Sequence, residues 1–229
     1  LKKIARDISP QARLIAKHFW PGPLTLILPK KPEVSEAVTG GLDTVAVRMP
    51  DHPVALALVK ALKSPIAAPS ANLSGKPSAT LINHAISDFG DKIDMYVDSG
   101  PAKIGLESTV IDVTVNPPEI LRHGAVTKEM LKKYLGHVVD HKHHPKNKIR
   151  SPGMKYRHYA PNARVVLVAG NRGAMIKKVQ ALIRKYKKAG KKVGVIASSE
   201  TAKHYNEADY VAVISTRNNL KMAAHKLFR

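Results

Sequence analysis

The chain has 229 residues, of which 38 are basic and 17 acidic, for a net charge of +21; 44% are apolar and none is Cys. That length holds one large domain or two small ones, with the composition of a globular chain rather than a disordered one. Disulfide scaffolds, thiol nucleophiles and cysteine zinc sites are excluded. No apolar run approaches a membrane span and no secretory pattern is present, so a cytoplasmic location is expected.

The charge is uneven. Residues 1–141 carry 17 basic and 14 acidic side chains, residues 142–162 carry 6 and 0, and residues 163–229 carry 15 and 3. A basic third can attract nucleic acid or another polyanion, or can simply be a solvated surface; charge alone leaves the second reading slightly ahead.

Leu1 opens the sequence as if inside an element, and a fragment is expected. Ser9-Pro10 reads as a helix start, N-cap then first turn, with the helix running to about His18. Leu24–Leu28, between Pro23 and Pro29, is a strand. Thr44–Arg48 alternates and is another. Asp51 is expected to cap a helix over Pro53–Leu62, with Val54, Ala57, Leu58 and Ala61 as its apolar stripe. A short strand at Ile66–Ala68 leads into a turn-rich stretch, and Thr80 is expected to cap a helix to Asp88. Strands are expected at Ile93–Val97, Thr109–Val113 and Ile120–Leu121, and a helix over Thr127–Leu135 stops at Gly136. Residues 141–162 read as a linker, in which the histidines near position 141 are poor metal ligands for want of fixed geometry. Beyond it come a strand at Arg164–Ala169, an amphipathic helix over Ala174–Lys188, strands at Lys192–Ala197 and Tyr210–Ile214, and a helix from Asn219. That alternation points to a small parallel α/β domain that is itself incomplete.

Four segments carry chemistry. Ser70-Ala71-Asn72-Leu73-Ser74-Gly75 offers short donors and acceptors at a strand end, suited to gripping a small polar ligand, although an ordinary turn has the same composition. Gly105-Leu106-Glu107-Ser108-Thr109 places hydroxyls before a strand and glycines where backbone N–H groups can approach an anion. Leu121-Arg122-His123-Gly124, like Arg48, can reach a carboxylate or phosphate, or form a surface ion pair. Ser151–Pro161 packs two Tyr, a His, two cations and two Pro into eleven residues, which fits a lid over a neighbouring site or a structural strap.

Together these segments resemble one family, the Sua5/YciO/YrdC family, in its two-domain form. The matching stretches are Phe19–Thr25, Thr44–Pro50, Ala68–Gly75, Glu107–Asp112, Leu121–Gly124 and Ser151–Pro161, in family order. The resemblance implies an α/β fold: a twisted, open, mixed YrdC-like sheet with helices over residues 1–140, a linker or lid over 141–162, and a smaller Rossmann-like parallel α/β domain over 163–229. It implies synthesis of L-threonylcarbamoyl-AMP from L-threonine, bicarbonate or CO2, and ATP, with release of pyrophosphate. The product would serve threonylcarbamoyladenosine formation in tRNA, completed by a separate transferase complex. Carried over by position, Arg48, Ala68 and Ser108 are implied threonine contacts. Thr44, Ser70, Asn72, Ser78, Arg122 and Ser151 are implied ATP contacts, and Tyr156, His158 and Tyr159 belong to the lid. No catalytic side chain and no protein-held metal are implied; Mg²⁺ is expected with the ATP phosphates. The family also has a segment before the equivalent of Leu1 that supplies further contacts, so the activity of these residues alone is in question. The rival readings are a non-catalytic basic RNA-binding module, poorly supported at 5% aromatic residues, and a hydrogenase-maturation carbamoyltransferase, whose Cys-rich segments have no counterpart here.

Overall fold

The computed structural model describes residues 1–141 and 163–228. Ser9 starts α1 (Pro10–Phe19) by accepting from the Ala12 N–H, and Pro10 occupies a position that needs no N–H. Then follow β1 (Leu24–Pro29), α2 (Glu36–Thr39), β2 (Thr44–Val47), α3 (Pro53–Leu62), α4 (Ile82–Phe89), β3 (Thr109–Asp112), β4 (Glu119–Arg122), α5 (Lys128–Leu135) and β5 (Val139–Asp140). The strands form one mixed sheet in the order β2-β1-β3-β4-β5. β1 runs antiparallel to β2 and parallel to β3, and β4 runs antiparallel to β3 and parallel to β5.

Alternation along β1 divides the sheet's faces. Leu24, Leu26 and Leu28 join Ile111, Ile120, Ile15 of α1 and Leu131 of α5 in the main core. The two helices are locked by Tyr134, which stacks on His18 and meets Phe19 edge to face. The opposite face holds Ile27, Val110 and Leu121, and on that side Thr25 points toward Ser108.

The second part contains α6 (Arg172–Lys188), β6 (Gly194–Ser198), α7 (Ser199–Ala202), β7 (Tyr210–Ser215) and α8 (Leu220–Lys226). β6 and β7 are parallel. As the spacing predicts, Ile183 of α6 is buried against Ala197 and Tyr205, with Ile176 and Val179 beside it. Among the described residues no helix is long and apolar enough to cross a membrane.

Several expectations are corrected. Ile66–Ala68, Ile93–Val97 and Arg164–Ala169 form no strand; each is exposed but for the half-buried Tyr96 and Val168, with no ladder partner among the described residues, and an apolar run needs a neighbour to become a strand. α3 is capped by His52, whose ring accepts from Val54 N–H, and not by Asp51. Its expected stripe is also displaced: Ala57, Leu58 and Ala61 are exposed while Val54, Ala55, Leu56 and Val59 are half-buried. α4 begins after Leu81 without a side-chain cap, because the Thr80 hydroxyl donates instead to the Phe228 carbonyl. His141, where the expected linker begins, is anchored to the sheet. Its backbone N–H donates to Ile120 O and its ring lies 2.9 Å from Glu119, 4% exposed.

Candidate functional site

The best-ordered polar cluster is centred on Ser108, the residue before β3. Its hydroxyl lies 2.7 Å from Thr25 Oγ1 and accepts from Arg122 Nη2 at 2.9 Å. Arg122 Nε donates to the Ser108 carbonyl at 3.0 Å. One guanidinium at the end of β4 therefore grips both the backbone and the side chain of Ser108, a planar two-point hold that Lys could not make. Gly124 explains why the Arg is followed by a glycine. A Cβ there would stand 2.7 Å from the Ser108 carbonyl carbon and 2.5 Å from Thr109 N, so only a bare Cα lets this turn pass over Ser108.

Arg48, just past β2, donates from Nε to the Gly22 carbonyl at 2.9 Å, while Gly22 N–H donates to Met49 O. The Pro21–Pro23 turn and the end of β2 are thereby tied together. Although Arg48 is exposed as a residue, partial desolvation of its guanidinium, and then the charge of Arg122, hold it below its ordinary value, yet it remains a cation at physiological pH. Two guanidiniums near enough to repel, with no carboxylate partner for either among the described residues, make a place for an anion. Ser78 donates to Glu107 at 2.7 Å, which fixes the stretch before α4 against the residue next to Ser108.

Asn72 belongs to a second cluster. Its Nδ2 donates to the carbonyls of Leu73 and Lys76. Its buried Oδ1 has no hydrogen-bond partner among the described residues. This turn is tied down by Asp88 of α4, which accepts from Leu73 N–H at 3.1 Å and from Lys76 Nζ at 2.6 Å. The Lys76 hydrogen bond, followed by the Leu73 N–H, holds the Asp88 carboxyl below the usual range.

The structure thus brings together Arg48, Ser108, Arg122 and, through Glu107, Ser78. Ala68 and Ser70 lie on an exposed stretch, and no hydrogen bond among the described residues ties either to Ser108. Thr44 is half-buried at the start of β2, opposite Pro29. Ser151, Tyr156, His158 and Tyr159 lie outside the described residues. Thr25 and the Ser78 partner Glu107 were missed as site residues. The available signal for Thr25 was a lone hydroxyl in an apolar strand, on the face opposite Leu24 and Leu26.

A family model described as "Telomere recombination" (Sua5_yciO_yrdC) matches residues 1–124. A second, described as "Threonylcarbamoyl-AMP synthase, C-terminal domain" (Sua5_C), matches residues 126–229. A threonylcarbamoyl-AMP synthase of Pyrococcus abyssi is 50% identical over 204 residues, covering 86% of this chain and 59% of its own length. The Bacillus subtilis enzyme of the same name is 46% identical over 231 residues, covering 100% and 65%. The crystal structure of P. abyssi Sua5 complexed with L-threonine superposes with a TM-score of 0.90 at 46% identity, over 98% of this chain and 65% of that one. One superposition spans both parts of the chain, so their mutual placement is shared. The chain accounts for about three-fifths to two-thirds of the length of these relatives.

Proposed function

The chain belongs to the Sua5/YciO/YrdC family, and we propose that the protein it forms makes L-threonylcarbamoyl-AMP from L-threonine, bicarbonate or CO2, and ATP, releasing pyrophosphate. The observation that carries this reading is the two-point hold of Arg122 on Ser108, with Arg48 close enough to feel the charge of Arg122. The reaction brings together a carboxylate, a carbamate and a triphosphate, and two cations that have no carboxylate partner among the described residues suit such a load.

In this reading Arg48 takes the threonine carboxylate, while the Ser108 hydroxyl and the Ala68 carbonyl address its amine and side-chain end. Arg122, Thr44, Ser70, Asn72 and Ser78 face the nucleotide, their hydroxyl, amide and guanidinium groups supplying donors and acceptors for it. The threonine amine adds to CO2 and loses a proton, giving a carbamate. A carbamate oxygen then attacks the α-phosphorus, and the bond to pyrophosphate breaks. The side chains here position reactants and offset charge rather than forming a covalent intermediate. Mg²⁺ would enter as MgATP; among the described residues no group of three or more His, Cys, Asp or Glu could hold an ion. Transfer of the threonylcarbamoyl group to tRNA falls to a separate complex, in the cytoplasm.

The test is threonine-dependent exchange of labelled pyrophosphate into ATP by the full-length protein. Exchange is expected for the unsubstituted protein and is lost in Arg48→Ala and Arg122→Ala. Exchange that ignores threonine, or RNA retention with no exchange at all, would replace this reading with a different adenylate chemistry or with a binding module.

A further inference from the structure

The loop that delivers Ser108 is exposed from Pro101 to Ile104 and then turns inward, so that Gly105 is buried. Part of its cover comes from the far end of the chain. His225, in the last turn of α8, donates from Nδ1 to the Lys103 carbonyl at 2.9 Å. The Phe228 carbonyl accepts from Thr80 Oγ1 at 3.3 Å. A Cβ on Gly105 would run into the His225 backbone, 2.7 Å from its Cα and 2.8 Å from its carbonyl carbon, and Gly105 sits at φ +79. Both space and backbone conformation demand glycine here.

α8 is fixed at its other end. The buried Ser215 hydroxyl, at the end of β7, approaches the Asn219 carbonyl at 2.6 Å, and Asn219 caps α8 by accepting from Met222 N–H. From the first part, the Thr80 carbonyl accepts from Ala102 N–H at 2.9 Å and Ser78 holds Glu107. The loop before Ser108 is therefore clamped from two sides, by residues 78–80 and by the end of α8.

We propose that α8 is a positioning element of the Ser108 site: its last turn, seated on Gly105 and bonded to Lys103 through His225, holds the loop in the register that presents Ser108 to Arg122 and Thr25. The second part of the molecule then sets threonine affinity without placing a side chain on the ligand, and His225 is a positioning residue. The functional half of this inference rests on the reading of Ser108 as a threonine contact. The mechanical half does not.

The experiment separates them in the full-length protein, using hydrogen–deuterium exchange over residues 103–109 and over α8, with calorimetric titration by L-threonine. His225→Ala and Gly105→Ala are expected to speed exchange over 103–109 about tenfold, with β1 and β4 unchanged. They are expected to weaken threonine binding about fivefold. His225→Asn, whose amide can supply the lost donor, restores both. If α8 exchanges faster while 103–109 does not, or if threonine affinity is unmoved in both variants, α8 is only glue between domains and the proposal fails. If the unsubstituted protein binds no threonine, the threonine reading of Ser108 falls, and the exchange data alone decide whether the clamp exists. Should Gly105→Ala fail to fold, the His225→Ala and His225→Asn pair carries the test.

Discussion

The sheet half of the first part and the stretch from α3 to Val97 have similar apolar content and very different fates. Leu24, Leu26, Ile111, Ile15 and Leu131 are all 0% exposed, and on the sheet that they support Ser108 is held by three hydrogen bonds, one with Thr25 and two from Arg122. In the other stretch neither α3 nor α4 has a buried residue, and Leu62, Met95 and Val97 are 61%, 76% and 55% exposed. The Asn72 turn in that stretch is held by side-chain ties, chiefly to Asp88, instead of by packing. The same family motifs therefore rest on two kinds of support. One half is rigid because moving it would open a core, and the other is positioned by a few polar links that are easily loosened.

The largest effect that tests this contrast is a pair of truncations. Leu26→Ala should cost about 2–5 kcal/mol, since it leaves a cavity in a closed core, whereas Leu62→Ala should stay within about 0.5 kcal/mol. Urea unfolding of both variants checks it, and equal losses would erase the contrast. Gly124→Ala comes next, at about 1–3 kcal/mol, because the new methyl must displace the Ser108 backbone; threonine affinity should fall with it, and a variant with full stability would show that the turn over Ser108 can relax. Thr25→Val should cost about 1 kcal/mol in unfolding experiments, with Ser108 still held by Arg122. Its signature is a change in threonine binding larger than the change in stability.

A smaller effect concerns pH. The Asp88 carboxyl is held below its ordinary value, so its ties stabilise the Asn72 turn above the usual carboxylate pKa and are lost as pH falls through the lowered one. Exchange over residues 70–77 should quicken below about pH 4 and be insensitive to acid in Asp88→Asn. If the pH response survives that substitution, another group holds the turn. The smallest effect is expected on α6. Neutralising Lys177, Lys178, Lys187 and Lys188 should leave adenylate formation largely intact, because the apolar face of that helix is spent on its own small core; collapse of synthesis in a folded variant would move the second part into the chemistry.

Where local chemistry and neighbours agreed, the fold was legible from the sequence. Ser9-Pro10, Thr127 with Gly136, and the apolar face of α6 each announce a helix through groups within one or two turns, and the structure places those helices as read. Leu24–Leu28 and Thr109–Val113 were legible as strands because β-rich apolar runs flanked by Pro or polar residues have few other uses. The family resemblance singled out Arg48, Ser108 and Arg122, and each lies at or beside a strand end.

Partners distant in sequence were a matter for the tertiary structure. Ile66–Ala68 and Ile93–Val97 have strand composition but no ladder partner among the described residues, and a strand's hydrogen bonds belong to its neighbour, not to itself. Thr80 was read as a helix cap because that is its commonest local use; a carbonyl 148 residues away takes its hydroxyl. Thr25 looked like a core strand residue until Ser108 came to within 2.7 Å across a separation of 83 residues. The glycines at 105 and 124 make the same point. The sequence alone determined that these positions carry no side chain. Only the fold, by bringing the His225 and Ser108 backbones against them, decided that no side chain could fit, because close approach is a property of two segments and cannot be written in either one.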